Sequence, residues 1–313
     1  MARGNRERTE LIKRLERDRR YRRVLAIDIV RPNTRLTKTD FHKIDLTQPS
    51  ADAELARLFQ SHGVDTVVHL AFLTHPSHNA LWAHELEAIG TLQVLNACAA
   101  CSVHKLVQWS LTALFGPHQQ NSFYLHDDDE MRGLPGSRYF TDKLEAERLT
   151  RRFAAENPST VVTILRTAAI LGQQVDNFVS RYFSHSVVPT LMGSNPLLQL
   201  LGEEDAVSAF KLCLDADYRG RFNIAARGIL PLQTIIALSG RLSLPIPHLA
   251  AKSLAQLLWA TQVVKAPPNF LDFLRYFCIV ETEPSLRQLG FTPALNIQAV
   301  VRLFAEGTPR SER

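Results

Sequence analysis

The sequence predicts a doubly wound α/β protein, in which a parallel sheet is covered by helices on both faces and a smaller lobe follows at the C-terminal end. Three observations predict it. Short apolar runs alternate with amphipathic helical stretches as far as residue 172, the order that builds parallel strands joined by crossover helices. The runs at 24–28 (VLAID), 65–71 (DTVVHLA), 105–110 (KLVQWS) and 160–166 (TVVTILR) are short and rich in β-branched and aliphatic residues, as strands buried on both faces are. Beyond Leu171 the pattern loosens, and Pro189, Pro196, Pro231, Pro245, Pro247, Pro267 and Pro268 cut the chain into short helices and turns.

Each element follows from its residues. A helix is predicted over 7–17, with Leu11, Ile12 and Leu15 on one stripe and interleaved arginines and glutamates on a solvated face. Strands follow at 24–28 and 41–45, then a helix over 52–62 with Leu55, Leu58 and Phe59 on one side. After the strand at 65–71 comes a long helix over 81–101 carrying Leu86, Ile89, Leu92, Leu95 and Ala99. A second long helix spans 138–157, where Pro158 stops it. A strand at 221–224 (RFNI) reads as the last one. Residues 1–172 with this returning strand form one domain, and 173–313 form mainly the lobe over the carboxyl ends of the strands, where open α/β sheets bind ligands.

Composition bounds the function. With 45% apolar and 21% charged residues the chain is an ordinary globular protein, and no apolar run approaches the roughly 18 residues of a membrane span. No secretory signal opens it, and four cysteines are too few for a disulfide scaffold, so a cytoplasmic setting is expected. A net charge of +5, with acids interleaved among the early arginines, gives no reason to expect a nucleic-acid partner. Cys98 and Cys101 lie within an apolar helix and read as small core residues. His75, His78 and His84 lack the carboxylates and spacing of a metal site, so no metal is expected. His69, inside its strand, reads as structural. The acidic run Asp127, Asp128, Asp129, Glu130 reads as a solvated loop, and Glu203, Glu204 and Asp205 suit a helix start.

Several patterns stand in order: D-T-V-V-H-L-A at 65–71, G-T at 90–91, Q-W-S-L-T-A-L-F-G at 108–116, Y-F-T-D-K at 139–143, L-R-T-A-A-I-L-G at 165–172, F-N-I-A at 222–225 and L-G-F-T-P at 289–293. Together they resemble the NAD-dependent epimerase/dehydratase family, the extended branch of the short-chain dehydrogenases, with its Rossmann-like fold. The resemblance covers nearly the whole chain. It implies an oxidoreductase, epimerase or dehydratase acting on a hydroxyl or keto group of a small molecule, such as a nucleotide sugar or a sterol-like alcohol. The alternative is a non-catalytic member that binds a ligand or a protein.

Tyr139 and Lys143 carry the chemistry in this resemblance. Four apart on a helix, they share a face, and a nearby ammonium would draw the phenol pKa down toward working pH. Tyr139 would then serve as general acid and base, with Lys143 its electrostatic partner and the ligand of the nicotinamide ribose. The family's third position, a Ser or Thr, is Leu111 here; Ser110 and Thr112 flank it as candidate donors. The resemblance places Asp28 on the adenosine ribose, favouring NAD over NADP, Asp45 and Leu46 against the adenine, and Leu70 and Ala71 along the cofactor. It also implies a homodimer built on the helices 81–101 and 138–157.

One part of the pattern is missing. A dinucleotide fold opens with an apolar strand and a glycine loop before its first helix, yet only Gly4 precedes the helix at 7–17. The first strand and glycine loop are therefore expected to be absent, through a start placed downstream of them or through a real loss, with cofactor binding lost or a partner strand recruited. NAD binding by residues 1–313 is expected to be weak.

Overall fold

The computed structural model describes residues 6–32, 36–264 and 266–307, and the side chains from Arg8 onward; Arg3 and Gly4 lie outside the described residues. Helix α1 (Arg6–Arg17) leads into strand β1 (Val24–Ile27), which pairs in parallel with β2 (Thr39–His42). Helix α2 (Ala51–His62) precedes β3 (Thr66–His69). A continuous helical run comes next: α3 (Ala80–His84), a π turn (Glu85–Ile89) and α4 (Gly90–Ala100). Then come β4 (Lys105–Leu111), α5 (Arg138–Glu156) and β5 (Val161–Thr167).

The C-terminal part holds β6 (Ala169–Leu171), α6 (Phe178–Ser184), β7 (Val187–Leu191), β8 (Leu197–Leu198), β9 (Leu200–Gly202) and α7 (Glu203–Asp215). It continues through β10 (Gly220–Ile224), β11 (Leu230–Pro231), α8 (Leu232–Leu238), β12 (Leu242–Ile246), α9 (His248–Ala260), α10 (Glu283–Leu289) and α11 (Ile297–Gly307).

The order β10-β5-β4-β3 makes a four-stranded parallel sheet. Alternate residues of its strands feed two cores, because successive side chains point to opposite faces. Leu106, Val162 and Ile164 meet Leu55 and Phe59 of α2 and Val94, Leu95 and Cys98 of α4. Val107 and Leu165 meet Leu11 and Leu15 of α1 and Phe210 and Cys213 of α7. The sheet is thus covered on both faces. At the start of the chain, α1 and the turn after it meet acids of α7: Arg14 bonds Glu204 and Ser208, Tyr21 donates to Asp215 at 2.7 Å, and Arg20 pairs with Asp215 and with neighbouring Asp18.

Strands β1 and β2 form a separate pair, and one cavity of about 1800 Å³ is lined both by β1 and by β3. The ladder shows which main-chain groups face it. Val24 N–H donates to Lys38 and Asp28 N–H to His42, so Val24, Ala26 and Asp28 address β2, while Leu25 and Ile27 turn the other way. Lys105 N–H donates to Asp65, so Thr66 and Val68 turn away from β4. Among the described residues no strand pairs with either of these edges.

Four expectations are corrected. The second strand lies at Thr39–His42, because Asp45 turns the chain: its carboxylate accepts from Thr47 N–H at 3.0 Å and Thr47 Oγ1 at 2.8 Å. The long helix is interrupted by the π turn, which re-aims its buried face. The strand at Gly220–Ile224 is succeeded by β11 and β12, which pair with β8 and β7. Pro189 and Pro245 hide those strands in the sequence, yet a two-stranded ladder leaves a free edge where a missing N–H costs little. The acidic run is not merely solvated: Asp127 accepts from Ser285 of α10 at 3.1 Å, and Asp128 pairs with Arg221 of β10.

Candidate active site

Strand β4 ends at Leu111 and enters a short 3-10 turn (Thr112–Phe115) closed by Gly116 at φ 84°. A Cβ there would lie 2.0 Å from the Gly133 carbonyl oxygen, so only glycine lets the two segments pass. The loop returns to Ser137, and α5 begins. Its face carrying Tyr139, Lys143 and Glu147 turns inward, and all three are buried.

Tyr139 packs edge-on against Phe140 and Phe178 and donates its hydroxyl to the Leu73 carbonyl at 3.2 Å. Lys143 Nζ lies 4.8 Å from the Tyr139 ring centroid and 5.0 Å from that of Phe72. The ammonium is held by Glu87 of the π turn, at 3.0 and 3.1 Å from its two carboxylate oxygens. Glu87 Oε1 also accepts the Leu73 N–H at 2.7 Å. Burial pushes the Lys143 ammonium down and the Glu87 carboxyl up, and their mutual attraction opposes both. Burial, and then the charge of Glu87, raise the Tyr139 phenol well above its usual value. The expectation that Lys143 draws this pKa down is therefore corrected: burial disfavours the phenolate, and the ammonium already has a counter-ion that repels it.

A cavity of about 60 Å³, room for about two waters, opens beside this pair. Leu73, Ser110, Leu111, Tyr139, Lys143 and Asn177 are among the residues lining it. Ser110 lines it too, but its hydroxyl donates to Glu147, which is clamped by buried Arg166. Thr112 is buried in the 3-10 turn and does not line the cavity. Leu111, between them, presents no donor. His69 donates or accepts at Thr91 Oγ1 at 3.0 Å, and burial pushes its pKa down to about 3, which keeps it neutral.

The larger cavity collects the remaining candidates. Asp28, Asp45, Leu46, Leu70 and Ala71 all line it, as does Arg8. Asp28 follows β1 and pairs with Arg8 at 3.4 Å; Arg8 also donates to the Phe72 carbonyl at 2.9 Å. Arg8 therefore ties the end of β1 to the segment after β3 across the mouth of the gap. Asp45 spends its Oδ1 on Thr47, which holds its carboxyl below the usual range. Among the described residues no group of histidines, cysteines and carboxylates could hold a metal ion. His75 pairs with Asp176, His78 stacks on Trp259 at 3.7 Å, and His84 bonds Asp142 at 2.9 Å.

The comparisons with known proteins bear on this geometry. The model of the NAD dependent epimerase/dehydratase family matches residues 9–225. The chain belongs to that family. The uncharacterized protein Rv0501 of Mycobacterium tuberculosis is 30% identical over 290 residues, covering 90% of this chain and 76% of that one. Among solved structures, MoeE5 in complex with UDP-glucuronic acid and NAD superposes with a TM-score of 0.75 at 21% identity, over 98% of this chain and 96% of that one. UDP-glucose 4-epimerase from Thermotoga maritima, with UDP-glucose, gives 0.73 at 16% identity, over 96% and 94%. At these identities the two structures establish the shared fold.

Three residues of the candidate site escape the sequence reading: Glu87, Arg8 and Glu147. Glu87 had a signal. It stands with Ala83, Thr91, Val94 and Cys98 on one helical stripe of small and apolar residues, all buried in the fold. A carboxylate on such a stripe needs a cation, and Lys143 supplies it. Arg8 and Glu147 carry no such signal, because their partners are distant in sequence.

Proposed function

We propose that this member is an NAD-dependent oxidoreductase, epimerase or dehydratase acting on a hydroxyl or keto carbon of a small molecule, with nucleotide sugars the first class to test. The observation that carries it is the burial of Tyr139 beside Lys143 at the carboxyl ends of the parallel strands, with a cavity opening onto both. The residues along the cavities fit the two ends of a dinucleotide. Asp28 suits an adenosine ribose, Leu46 and Asp45 an adenine edge, Leu70 and Ala71 the cofactor's length, and Lys143 the second ribose once it leaves Glu87. The middle fits less well, since Arg8 is the cation at the gap where glycine-loop N–H groups would meet the phosphates. When bound, NAD supplies a hydride acceptor or donor. Tyr139 holds the proton that a substrate oxygen takes or gives, and the aromatic side chains around it exclude water.

The Leu111 position and the engagement of Ser110 by Glu147 favour a second reading, a member that binds a ligand without turning it over. Incubation with NAD and UDP-glucose, UDP-glucuronic acid or dTDP-glucose separates the two. Epimerised, dehydrated or oxidised sugar in the product supports the enzyme; bound but unaltered sugar nucleotide supports the second reading. We propose a homodimer through the exposed face of α3 and α4, where Leu81 and Trp82 are uncovered. Light scattering at micromolar concentration should give twice the 35.2 kDa chain mass, and a monomer mass would end that proposal.

A further inference from the structure

The π turn, Leu73, Tyr139 and Lys143 form one closed circuit. Glu87 Oε1 takes the Leu73 N–H at 2.7 Å while Tyr139 donates to the Leu73 carbonyl at 3.2 Å. The phenol and the carboxylate thus grip one residue from its two polar groups. Both carboxylate oxygens of Glu87 are also within 3.1 Å of Lys143 Nζ, and Glu87 is 1% exposed. The ammonium sits beside the Tyr139 ring, with its hydrogen-bonding capacity directed at Glu87. We propose that Glu87 is a positioning residue that acts as the resting counter-ion of Lys143, keeping the proton on Tyr139 until the Lys143–Glu87 pair opens.

The physical argument is a competition between two anions for one buried cation. A buried ammonium needs a counter-charge close by, and a buried anion needs a cation. Two candidates surround Lys143: the Glu87 carboxylate and the Tyr139 phenolate. With Glu87 charged, a phenolate would be a second anion against a cation already neutralised, so the phenol form persists. The same carboxylate competes with any ribose hydroxyl for the ammonium. An acid–base cycle at Tyr139 therefore requires Lys143 to exchange Glu87 for the ligand. The π turn serves this arrangement, since a residue inserted in a helix re-aims the side chains on its C-terminal side and such turns recur at functional sites.

The other charged groups facing the circuit are few. Asp142 on α5 bonds His84 and adds negative charge near Glu87 and Lys143. Arg8 of α1 opposes the charge of Lys143 from the cavity side, and His69 of β3 stays neutral. None of these touches the phenol.

The inference rests on reading Tyr139 and Lys143 as the acid–base pair, but its test needs neither cofactor nor substrate. The chain, which has six tyrosines, is labelled with 13C at tyrosine Cζ, and Tyr139→Phe assigns the Tyr139 signal. In the wild type that signal should stay in the phenol form through pH 10. In Glu87→Gln, which keeps the side-chain shape, it should ionise with a midpoint at least one unit lower, a tenfold or larger rise in its ionisation constant. Glu87→Asp, which keeps the charge, should return it toward the wild-type position. Should Glu87→Gln fail to fold, the Glu87→Asp titration is compared with Glu87→Asn. An unchanged Tyr139 midpoint on loss of the carboxylate overturns the proposal. Failure to turn over any sugar nucleotide leaves this titration readable, so the two readings fail separately.

Discussion

Tyr139→Phe should abolish turnover of any substrate this protein converts, while leaving the fold and ligand binding almost intact. The ring keeps its edge contacts with Phe140 and Phe178 and its packing near Phe270. What it loses is one hydroxyl that donates to the Leu73 carbonyl at 3.2 Å, worth about 1 kcal/mol of stability. Against this small structural cost stands the loss of the proton carrier proposed above, and a positioned acid or base contributes roughly 10²–10⁴-fold to rate. Ser110 cannot replace it, because its proton is committed to Glu147 and Leu111 offers none. The check is kcat and KM for both proteins on the first sugar nucleotide found to be converted, with melting temperature alongside. A drop confined to kcat supports the role given to Tyr139. Unchanged turnover would remove it from the mechanism.

Extending the chain with an apolar strand and a glycine-rich turn ahead of residue 1 should raise stability and NAD affinity together. The slot that such a strand would fill has an edge on each side: Leu25 and Ile27 of β1, and Thr66 and Val68 of β3. A strand seated between them pairs on both edges and buries its side chains on both faces. Each fully buried aliphatic side chain contributes about 1.5–3 kcal/mol before the entropy of ordering is subtracted. A net gain of about 5 kcal/mol would raise the melting temperature by roughly 10 °C in a chain of this size. The turn would add main-chain N–H groups aimed at the pyrophosphate, and two or three charge-assisted bonds of about 2 kcal/mol each change affinity roughly a thousandfold or more. Calorimetry with NAD on the chain of residues 1–313 should show weak or no binding, and on the extended chain micromolar binding. Micromolar binding by residues 1–313 would instead assign the phosphate site to Arg8 and the start of α1.

Local pattern sufficed for most of the sheet. The strands over Lys105–Leu111 and Val161–Thr167, the helices over Ala51–His62 and Arg138–Glu156, and the shared face of Tyr139 and Lys143 all follow from periodicity, since burial on one side repeats along a strand or helix. The lobe was legible only as broken chain. Its strands are two to five residues long, three of them carry prolines, and they pair across tens of residues, so no window of sequence holds both partners.

By itself, the sequence determined that this is a doubly wound α/β chain resembling the epimerase/dehydratase family, with a tyrosine and a lysine on one helical face. Tertiary structure alone decided what those two residues touch. Glu87 lies 56 residues from Lys143, and Glu147 lies 37 from Ser110. Spacing along one helix reports which side chains share a face, but the charge state of a buried group depends on what the other elements bring against it. Burial, together with a carboxylate placed there by a π turn, outweighs the pattern that put the ammonium beside the phenol.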